Sequence, residues 1–273
     1  MFLLKGYLSL LQLISPKLAA KQMFNFMSNP RIIKLRDFEN EILDRSKKET
    51  VRFKSFDIQS YTWGDESDKV AMLIHGWEGQ AGNFGGLIDP LLAKGYRVIA
   101  FDAPSHGYSS KGKTNMFDFV EIIDSFMVKI KPELVISHSF GSVIASASIL
   151  NQSQLHFKNW IMVTSPHDFR ERIQDVTDTL SISKPTVDIL VRMIEEDLGE
   201  SIDNLNMTNY CKRIKNVDQV TIVHSIHDKI LPIRTSRKVH EAFEESEMIE
   251  LENLGHYKIL WSDELKEIVN RIA

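Results

Sequence analysis

The sequence is poor in the residues that would build a disulfide framework or a metal site. It has 273 residues and a single cysteine, Cys211, so an internal disulfide is excluded. A lone thiol is typical of a protein from a reducing compartment. None of the nine histidines belongs to an H-E-x-x-H pattern, and no glycine-rich phosphate loop of the G-x-G-x-x-G or Walker type occurs. We therefore predict no metal ion and no other cofactor.

The sequence also lacks a dominant charge and a long apolar run. Lysine and arginine number 33 against 37 aspartates and glutamates, and the signs are interspersed, which argues against a nucleic-acid partner. No apolar run reaches the roughly 20 residues needed to cross a bilayer. Because 43% of residues are hydrophobic and 26% charged, we expect a soluble, cytoplasmic protein with at most peripheral membrane contact.

Residues 1–49 are predicted to form a helical arm. Residues 1–14 are mostly apolar but are interrupted by polar side chains, and Ser15 and Pro16 are typical of an N-cap followed by the first helical position. A secretory signal peptide is an alternative because residues 18–20 would suit cleavage, although no basic cluster precedes the apolar stretch. The arm could cover the domain, form a dimer or lie on a membrane surface, and the oligomeric state is not predicted.

The rest of the chain has the pattern of an α/β domain. Two alternating runs, 51–56 and 58–63, predict a β-hairpin. Further strands are predicted at 70–74, 96–101, 134–136, 160–163, 220–223 and 248–251. Helices are predicted at 83–94, 116–130, 141–150, 235–243 and 262–272. Near-continuous apolar strands that alternate with helices indicate a mostly parallel central sheet flanked by helices.

One interval is too long for a single crossover helix. The 54 residues from Ser165 to Asp218 separate two successive strands, and structureless loops of that length are uncommon in compact domains. We predict that residues 165–212 form a helical cap, inserted into a core made of residues 50–164 and 213–273.

Polar residues follow several of the predicted strands. In the stretch VISHSFGSV, Ser139 comes three residues after the end of the strand 134–136, while Asp228 and His256 follow two later strands. Ligands of open α/β sheets bind at the carboxyl ends of the strands. A serine, an aspartate and a histidine are therefore expected at one edge of the sheet.

These motifs resemble those of the α/β-hydrolase family. The segment 137–141, SHSFG, is similar to the nucleophile elbow G-x-S-x-G, with Ser137 in place of the first glycine. His75-Gly76-Trp77 and residues 102–109 resemble two further family stretches, H-G-x and D-x-P-G-H-G-x-S, with Ser105 where glycine is usual. The similarity covers residues 51–273 and implies the α/β-hydrolase fold with an inserted helical cap.

The resemblance implies a role for each site residue. Ser139 would be the nucleophile, His256 the general base and Asp228 the carboxylate that orients the base. The backbone N–H groups of Trp77 and Phe140 would form the oxyanion hole. The implied reaction is hydrolysis of a carboxylic ester or thioester through an acyl-enzyme, on a small acyl substrate. The residues predicted to line an apolar acyl pocket, together with Trp77 and Phe140, are Phe169, Leu190 and Met193.

Several alternatives stay open at this point. Ser139 could be a helix N-cap and His256 a surface turn residue, while Asp168 and Glu252 compete with Asp228 for the role of the acid. The fold alone does not fix the reaction. The chain could also be a membrane-surface lipase or acyltransferase that uses its N-terminal arm, or a non-catalytic binding protein on the same fold.

Overall fold

The computed structural model describes residues 2–31, 34–243 and 245–273. Its central sheet has eight strands in the order β1-β2-β4-β3-β5-β6-β7-β8. The strands are β1 Lys47–Phe53, β2 Phe56–Trp63, β3 Val70–Ile74, β4 Arg97–Phe101, β5 Leu134–His138, β6 Phe157–Val163, β7 Val217–Ser225 and β8 Glu247–Leu251. All neighbours from β4 to β8 are parallel, and the hairpin β1–β2 joins the sheet antiparallel to β4. The predicted fold class is confirmed.

Helices cover both faces of this sheet. They are α1 Phe2–Ile14, α2 Pro16–Ser28, α3 Asp37–Asp44, α4 Gly85–Ala93, α5 Met116–Ile130, α6 Phe140–Asn151, α7 Phe169–Leu180, α8 Lys184–Leu198, α9 Met207–Arg213, α10 Arg234–Ala242 and α11 Asp263–Ile272. Helix α3 lies in a charged segment for which the sequence analysis predicted no separate element. None of the helices that the structure describes is long and apolar enough to cross a membrane.

The central strand β3 is apolar throughout because both of its faces are buried. In β3, Met72 and Ile74 belong to one core cluster and Ala71 and Leu73 to the other. The first cluster packs under α5, α6, α9 and α10, and the second under α3, α4 and α11. This two-sided burial removes the alternation of a half-exposed strand and leaves continuous apolar runs.

The hairpin turn lies earlier than the sequence suggested. The two alternating runs were separated at Asp57, but the structure places the turn at Lys54 and Ser55, with Lys54 at φ 51°. The register then pairs Phe53 with Phe56, and β1 begins at Lys47, before the expected start of the core at residue 50. The strand period of two fits either alternation, so periodicity alone does not fix the turn.

A third apolar cluster lies outside the sheet, between the arm and the inserted helices. Leu8 of α1 and Met23 of α2 pack there with Ile173, Leu190 and Ile194 of α7 and α8. The side chain of Gln12 also bonds the backbone at Ser181 and Ser183, between these two helices. Helix α9, in contrast, contributes Met207 and Cys211 to the core on the sheet. We therefore assign only α7 and α8 to the cap.

Candidate active site

Ser139 lies at a sharp turn between β5 and α6. Its backbone has φ 53° and ψ −126°, a conformation that costs of order 1–3 kcal/mol for a residue with a side chain. Gly141 makes the turn possible, because a Cβ there would lie 2.4 Å from the carbonyl oxygen of Ile74 and 2.6 Å from that of His75. Position 141, the second glycine of the motif, must therefore be glycine because a side chain would collide with the backbone.

The serine at the first glycine position is accommodated by hydrogen bonds. Ser137 is fully buried, and its φ is not positive. Its hydroxyl accepts a bond of 2.9 Å from the indole N–H of Trp160 and lies 2.9 Å from the hydroxyl of Ser142. A buried hydroxyl with two partners carries little desolvation penalty. The departure from glycine is thus compatible with the strand-to-helix turn.

The structure brings His256 and Asp228 into direct contact. His256 Nδ1 lies 2.7 Å from Asp228 Oδ2, and the other carboxylate oxygen accepts the backbone N–H groups of Ile230 (2.8 Å) and Leu231 (3.1 Å). Because the carboxylate accepts at Nδ1, the neutral imidazole carries its proton there. Its Nε2 is left as an acceptor.

The Asp228 carboxylate is held in its ionised form. Burial would raise the pKa of Asp228, but the imidazoles of His224 and His256 and the Leu231 N–H outweigh burial and lower that pKa well below its usual value. His224 is fully buried, and its Nε2 lies 3.6 Å from Asp228 Oδ2. This contact of His224 is not predictable from the sequence alone.

A second histidine fixes the backbone that carries His256. His138, the residue before Ser139, is buried, and its Nε2 lies 2.9 Å from the carbonyl oxygen of His256. Burial and the neighbouring His256 lower the pKa of His138 well below its usual value, so its ring stays neutral. This bond joins the Ser139 turn to the loop after β8.

The loop after β3 lies directly against the Ser139 turn. A Cβ on Gly76 would come within 3.0 Å of Ser139 Cβ and 3.3 Å of the backbone nitrogen of Phe140. Phe140 is the first residue of α6, where backbone N–H groups lack intrahelical acceptors. Within the described part of the chain, the Trp77 N–H has no hydrogen-bond acceptor either.

His75 orients the peptide unit that carries the Trp77 N–H. Its Nε2 accepts the Ala103 N–H (3.0 Å), so its proton is on Nδ1, 2.7 Å from the Gly76 carbonyl oxygen. Burial and the nearby His106 lower the pKa of His75 to about 3, and the ring is therefore neutral. In a planar trans peptide the Gly76 carbonyl and the Trp77 N–H point in opposite directions. The bond from His75 to the Gly76 carbonyl oxygen therefore also fixes the direction of the Trp77 N–H.

Ser139 and His256 line the same cavity, which has a volume of about 890 Å³. Trp77, Phe140 and Phe169, three of the residues proposed from the sequence, line it as well. Leu190 and Met193 do not. Leu190 is fully buried in the cluster between cap and arm, and Met193 packs against that cluster.

The N-terminal arm forms a large part of the cavity wall, which sequence reasoning did not predict. The arm residues that line the cavity include Leu4, Tyr7, Leu8, Met23, Phe24, Phe26 and Met27. At the end of the arm, the Arg31 guanidinium makes two bonds, of 2.7 and 2.6 Å, to the carboxylate of Glu78, which follows Trp77. The arm is thus tied to the loop beside Ser139.

The competing acids lie elsewhere. Asp168 caps α7 through the Glu171 N–H and accepts a second bond from the Asn206 side chain. Glu252 is exposed. Among the residues that the structure describes, no group of three or more His, Cys, Asp or Glu side chains could hold a metal ion.

Asp102, in the loop after β4, ties the loops around the site to the sheet. Its buried carboxylate accepts bonds from the Tyr61 hydroxyl (2.9 Å) and from the N–H groups of Ala81 and Tyr108 (both 2.8 Å). Burial nevertheless raises the pKa of Asp102 to about 6. The folded protein therefore binds this proton more tightly than the unfolded chain, whose Asp pKa is about 3.9.

This raised pKa predicts a stability effect with a definite sign. The contribution of Asp102 to the free energy of unfolding should be greatest below pH 4 and should fall by about 3 kcal/mol as the pH rises past 6. Urea unfolding of the wild type and of Asp102→Asn at pH 4 and pH 7 measures the change. The free energy of unfolding of the wild type, minus that of the variant, should be smaller at pH 7 than at pH 4. A difference that is the same at both pH values, or larger at pH 7, would contradict the expectation.

A family model described as the alpha/beta hydrolase fold matches residues 70–179, which run from β3 through the Ser139 turn into the cap. The chain has the α/β-hydrolase fold. Solved structures with this fold superpose over most of the molecule, and this agreement includes the mostly parallel sheet and its flanking helices.

Among α/β-hydrolases of known structure, the Pyrococcus furiosus esterase Pf2001 matches with a TM-score of 0.67 at 18% identity, covering 90% of this chain and 97% of the esterase. A bacterial membrane phospholipase A matches with a TM-score of 0.65 at 16% identity and covers 99% of this chain, including the arm, and 97% of the phospholipase. These likenesses establish the fold.

Two curated relatives match over shorter stretches of the chain. The phospholipase YtpA of Bacillus subtilis is 22% identical over 52% of this chain, and a serine hydrolase-like protein of Danio rerio is 26% identical over 42%. The matches span 57% and 37% of those two proteins, respectively.

Proposed function

We propose that this chain is a serine hydrolase that cleaves a carboxylic ester or thioester through an acyl-enzyme. The observation that carries the proposal is the 2.7 Å contact between His256 Nδ1 and Asp228, which leaves the other imidazole nitrogen free to accept a proton in the cavity that Ser139 lines. A non-catalytic binding protein would have no need of this arrangement.

The reaction would proceed in two halves. Ser139 Oγ attacks the substrate carbonyl carbon as its proton passes to His256 Nε2, and the N–H groups of Trp77 and Phe140 bind the developing oxyanion. The tetrahedral intermediate collapses, and the imidazolium gives the proton to the departing alcohol or thiol. Water then attacks the acyl-enzyme while His256 takes its proton, and the collapse of the second intermediate returns that proton to Ser139 Oγ. Asp228 stays ionised throughout and balances the imidazolium charge.

The size and the apolar wall of the cavity favour a substrate with an extended acyl chain. Its wall combines Phe140 and Phe169 with apolar side chains of the arm and the cap, and about 890 Å³ is within the range of small-molecule pockets. The named esterase and phospholipases among the structural neighbours and relatives agree with an ester substrate.

Labelling with a fluorophosphonate probe tests the proposal, because such probes form a covalent bond with an activated serine. We expect the folded wild type to be labelled on the peptide that contains Ser139, as located by mass spectrometry. Heat-denatured protein and the Ser139→Ala variant should stay unlabelled. Labelling that persists in the variant, or that never occurs in folded wild type, would refute the assignment.

A second candidate, a lipase acting at a membrane surface, is favoured by the outer face of α1. Leu3, Leu10 and Ile14 recur at helical spacing and are 86%, 67% and 80% exposed. Residues 1–36 hold six lysines and arginines and no acidic residue. We propose that this face rests on an anionic lipid surface, where each basic residue contributes about 1 kcal/mol of attraction.

Vesicle binding of the full-length protein tests this candidate. The wild type should sediment with phosphatidylglycerol vesicles at low salt, and binding should weaken with added salt or with phosphatidylcholine alone. Leu10→Glu combined with Ile14→Glu should lower the bound fraction at least about tenfold. The control Val128→Glu combined with Gln154→Glu adds the same two negative charges at exposed positions outside the arm. Failure to bind, or a dimer that the paired substitution dissociates, would rule out the lipid surface.

A further inference from the structure

The charged side chains that line the cavity are compensated with one exception. Arg31 is neutralised by Glu78, as described above, and Asp197 is paired with Lys113. The remaining charge is Arg172 of α7. Its guanidinium makes one hydrogen bond, of 3.3 Å, to the carbonyl oxygen of Ile230, and no carboxylate of the described residues lies within ion-pair distance.

Carboxylates lie close to Arg172 in the sequence, but they form ion pairs with other residues. Glu171 is committed to Lys238 and Arg234, and Asp175 to Arg234. Arg170, two residues before Arg172 on the same helix, is paired with Asp203. The carboxylates of Glu171 and Asp175 are thus neutralised by other cations, and the arginine that faces the cavity has no ion-pair partner among the residues that the structure describes.

Arg172 is also half-buried. Burial lowers the pKa of Arg172, which is the signature of a cation taken partly out of water without a matched anion, although Asp175 and Asp228 act on it from a distance. A buried charge without a partner is unfavourable unless something binds it. Its other N–H groups have no acceptor in the described protein, and a guanidinium presents such groups in the planar arrangement that suits carboxylate and phosphate.

We infer that Arg172 binds an anionic group, a carboxylate or a phosphate, that is part of the ester substrate. The inference rests on the proposed function and narrows its substrate class. Arg172 bonds the carbonyl of Ile230, whose N–H binds Asp228, so the anionic group would lie on the same side of the cavity as the His256–Asp228 pair. The apolar wall of arm and cap would take the alkyl chain.

A purely structural role is the competing explanation, since the bond to Ile230 joins the cap to the loop of the acid. Two pairs of substrates separate the two roles. The first pair is p-nitrophenyl hexanoate and mono-p-nitrophenyl adipate, which have equal chain lengths and differ in a carboxylate on the acyl side. The second pair is 1-octanoylglycerol and 1-octanoylglycerol 3-phosphate, which differ in a phosphate on the alcohol side.

We expect the wild type to prefer the anionic member of at least one pair in kcat/KM. Arg172→Gln, which retains an N–H donor for Ile230, should lower the anionic-to-neutral ratio about 10- to 100-fold, chiefly through KM. Arg172→Lys should retain part of the preference. The control Arg192→Gln, on the exposed side of α8, should keep the wild-type ratio.

The pair that responds identifies the source of the anion. No preference for the anionic member in either pair, or a ratio that Arg172→Gln leaves unchanged while both rates fall, would overturn the inference and leave Arg172 as a structural contact. Fluorophosphonate labelling of the same variants shows whether the reactive serine is intact. A failure of this inference is thereby distinguished from a failure of the proposed function.

Discussion

Replacing Ser139 with alanine is expected to lower kcat for an activated ester by about 10⁶-fold. The nucleophile and its base act as a unit, so the loss of the hydroxyl removes the acyl-enzyme route entirely. The remaining rate would come from the oxyanion donors and from binding, and would still exceed that of the uncatalysed reaction by about 10³-fold. Hydrolysis of p-nitrophenyl hexanoate by highly purified protein measures the loss.

This substitution leaves the fold in place. Alanine has the same Cβ as serine at φ 53°, so the strain of the turn does not change. Ser146→Ala is the neighbouring control, since it removes a hydroxyl that bonds the Val143 carbonyl oxygen within the same helix and does not touch the proposed nucleophile or its turn. We expect that control to stay within a few-fold of wild type. A Ser139→Ala enzyme with more than about a hundredth of the wild-type kcat would exclude the proposed mechanism.

The parallel sheet and the Ser139 turn could be predicted because their signals are local. A strand buried on both faces must be apolar at every position, as in β3. The turn needs a glycine at 141 because any side chain would strike the carbonyl oxygen of Ile74. Each of these requirements restricts a few consecutive residues, so each is visible in the sequence. The parallel order of the strands then places the ends of later strands at the same edge of the sheet.

The cap was predicted in outline only. Helical spacing identified Leu190 as a residue on an apolar face, but it does not tell which apolar surface that face contacts. Leu190 packs toward the arm, and the cavity is lined by Ile194 and Leu198 of the same helix and by Leu4 and Leu8 of α1. The partner of the cap lies more than 150 residues away in the sequence, and no local pattern encodes that distance.

The supporting histidines illustrate the same limit. His138 bonds the backbone of His256, and His224 approaches the carboxylate of Asp228, but neither role is visible in the sequence. The residue type shows that a side chain can form hydrogen bonds, but its partner depends on which strand ends become neighbours. That Arg172 has no ion-pair partner follows only from the structure, which shows how the charged residues around it are paired.

Asp228→Asn is expected to lower kcat by about 10⁴-fold, and the structure explains why an amide cannot replace this carboxylate. One carboxylate oxygen accepts the N–H groups of Ile230 and Leu231, so the amide oxygen of asparagine would take that position and its NH₂ would face His256 Nδ1. The imidazole must then accept at Nδ1 and carry its proton on Nε2, where it cannot take the proton of Ser139.

The rival acids provide the controls for this last prediction. Glu252→Gln changes an exposed side chain, and Asp168→Asn keeps a residue that can cap α7. Both should retain kcat within a few-fold, whereas Asp228→Asn should lose activity without losing its folded circular-dichroism spectrum. If Asp168→Asn were the damaging change and Asp228→Asn were mild, the orienting carboxylate would be Asp168. The 2.7 Å contact of His256 with Asp228 would then be structural, because a base held in the wrong tautomer cannot turn over at a normal rate.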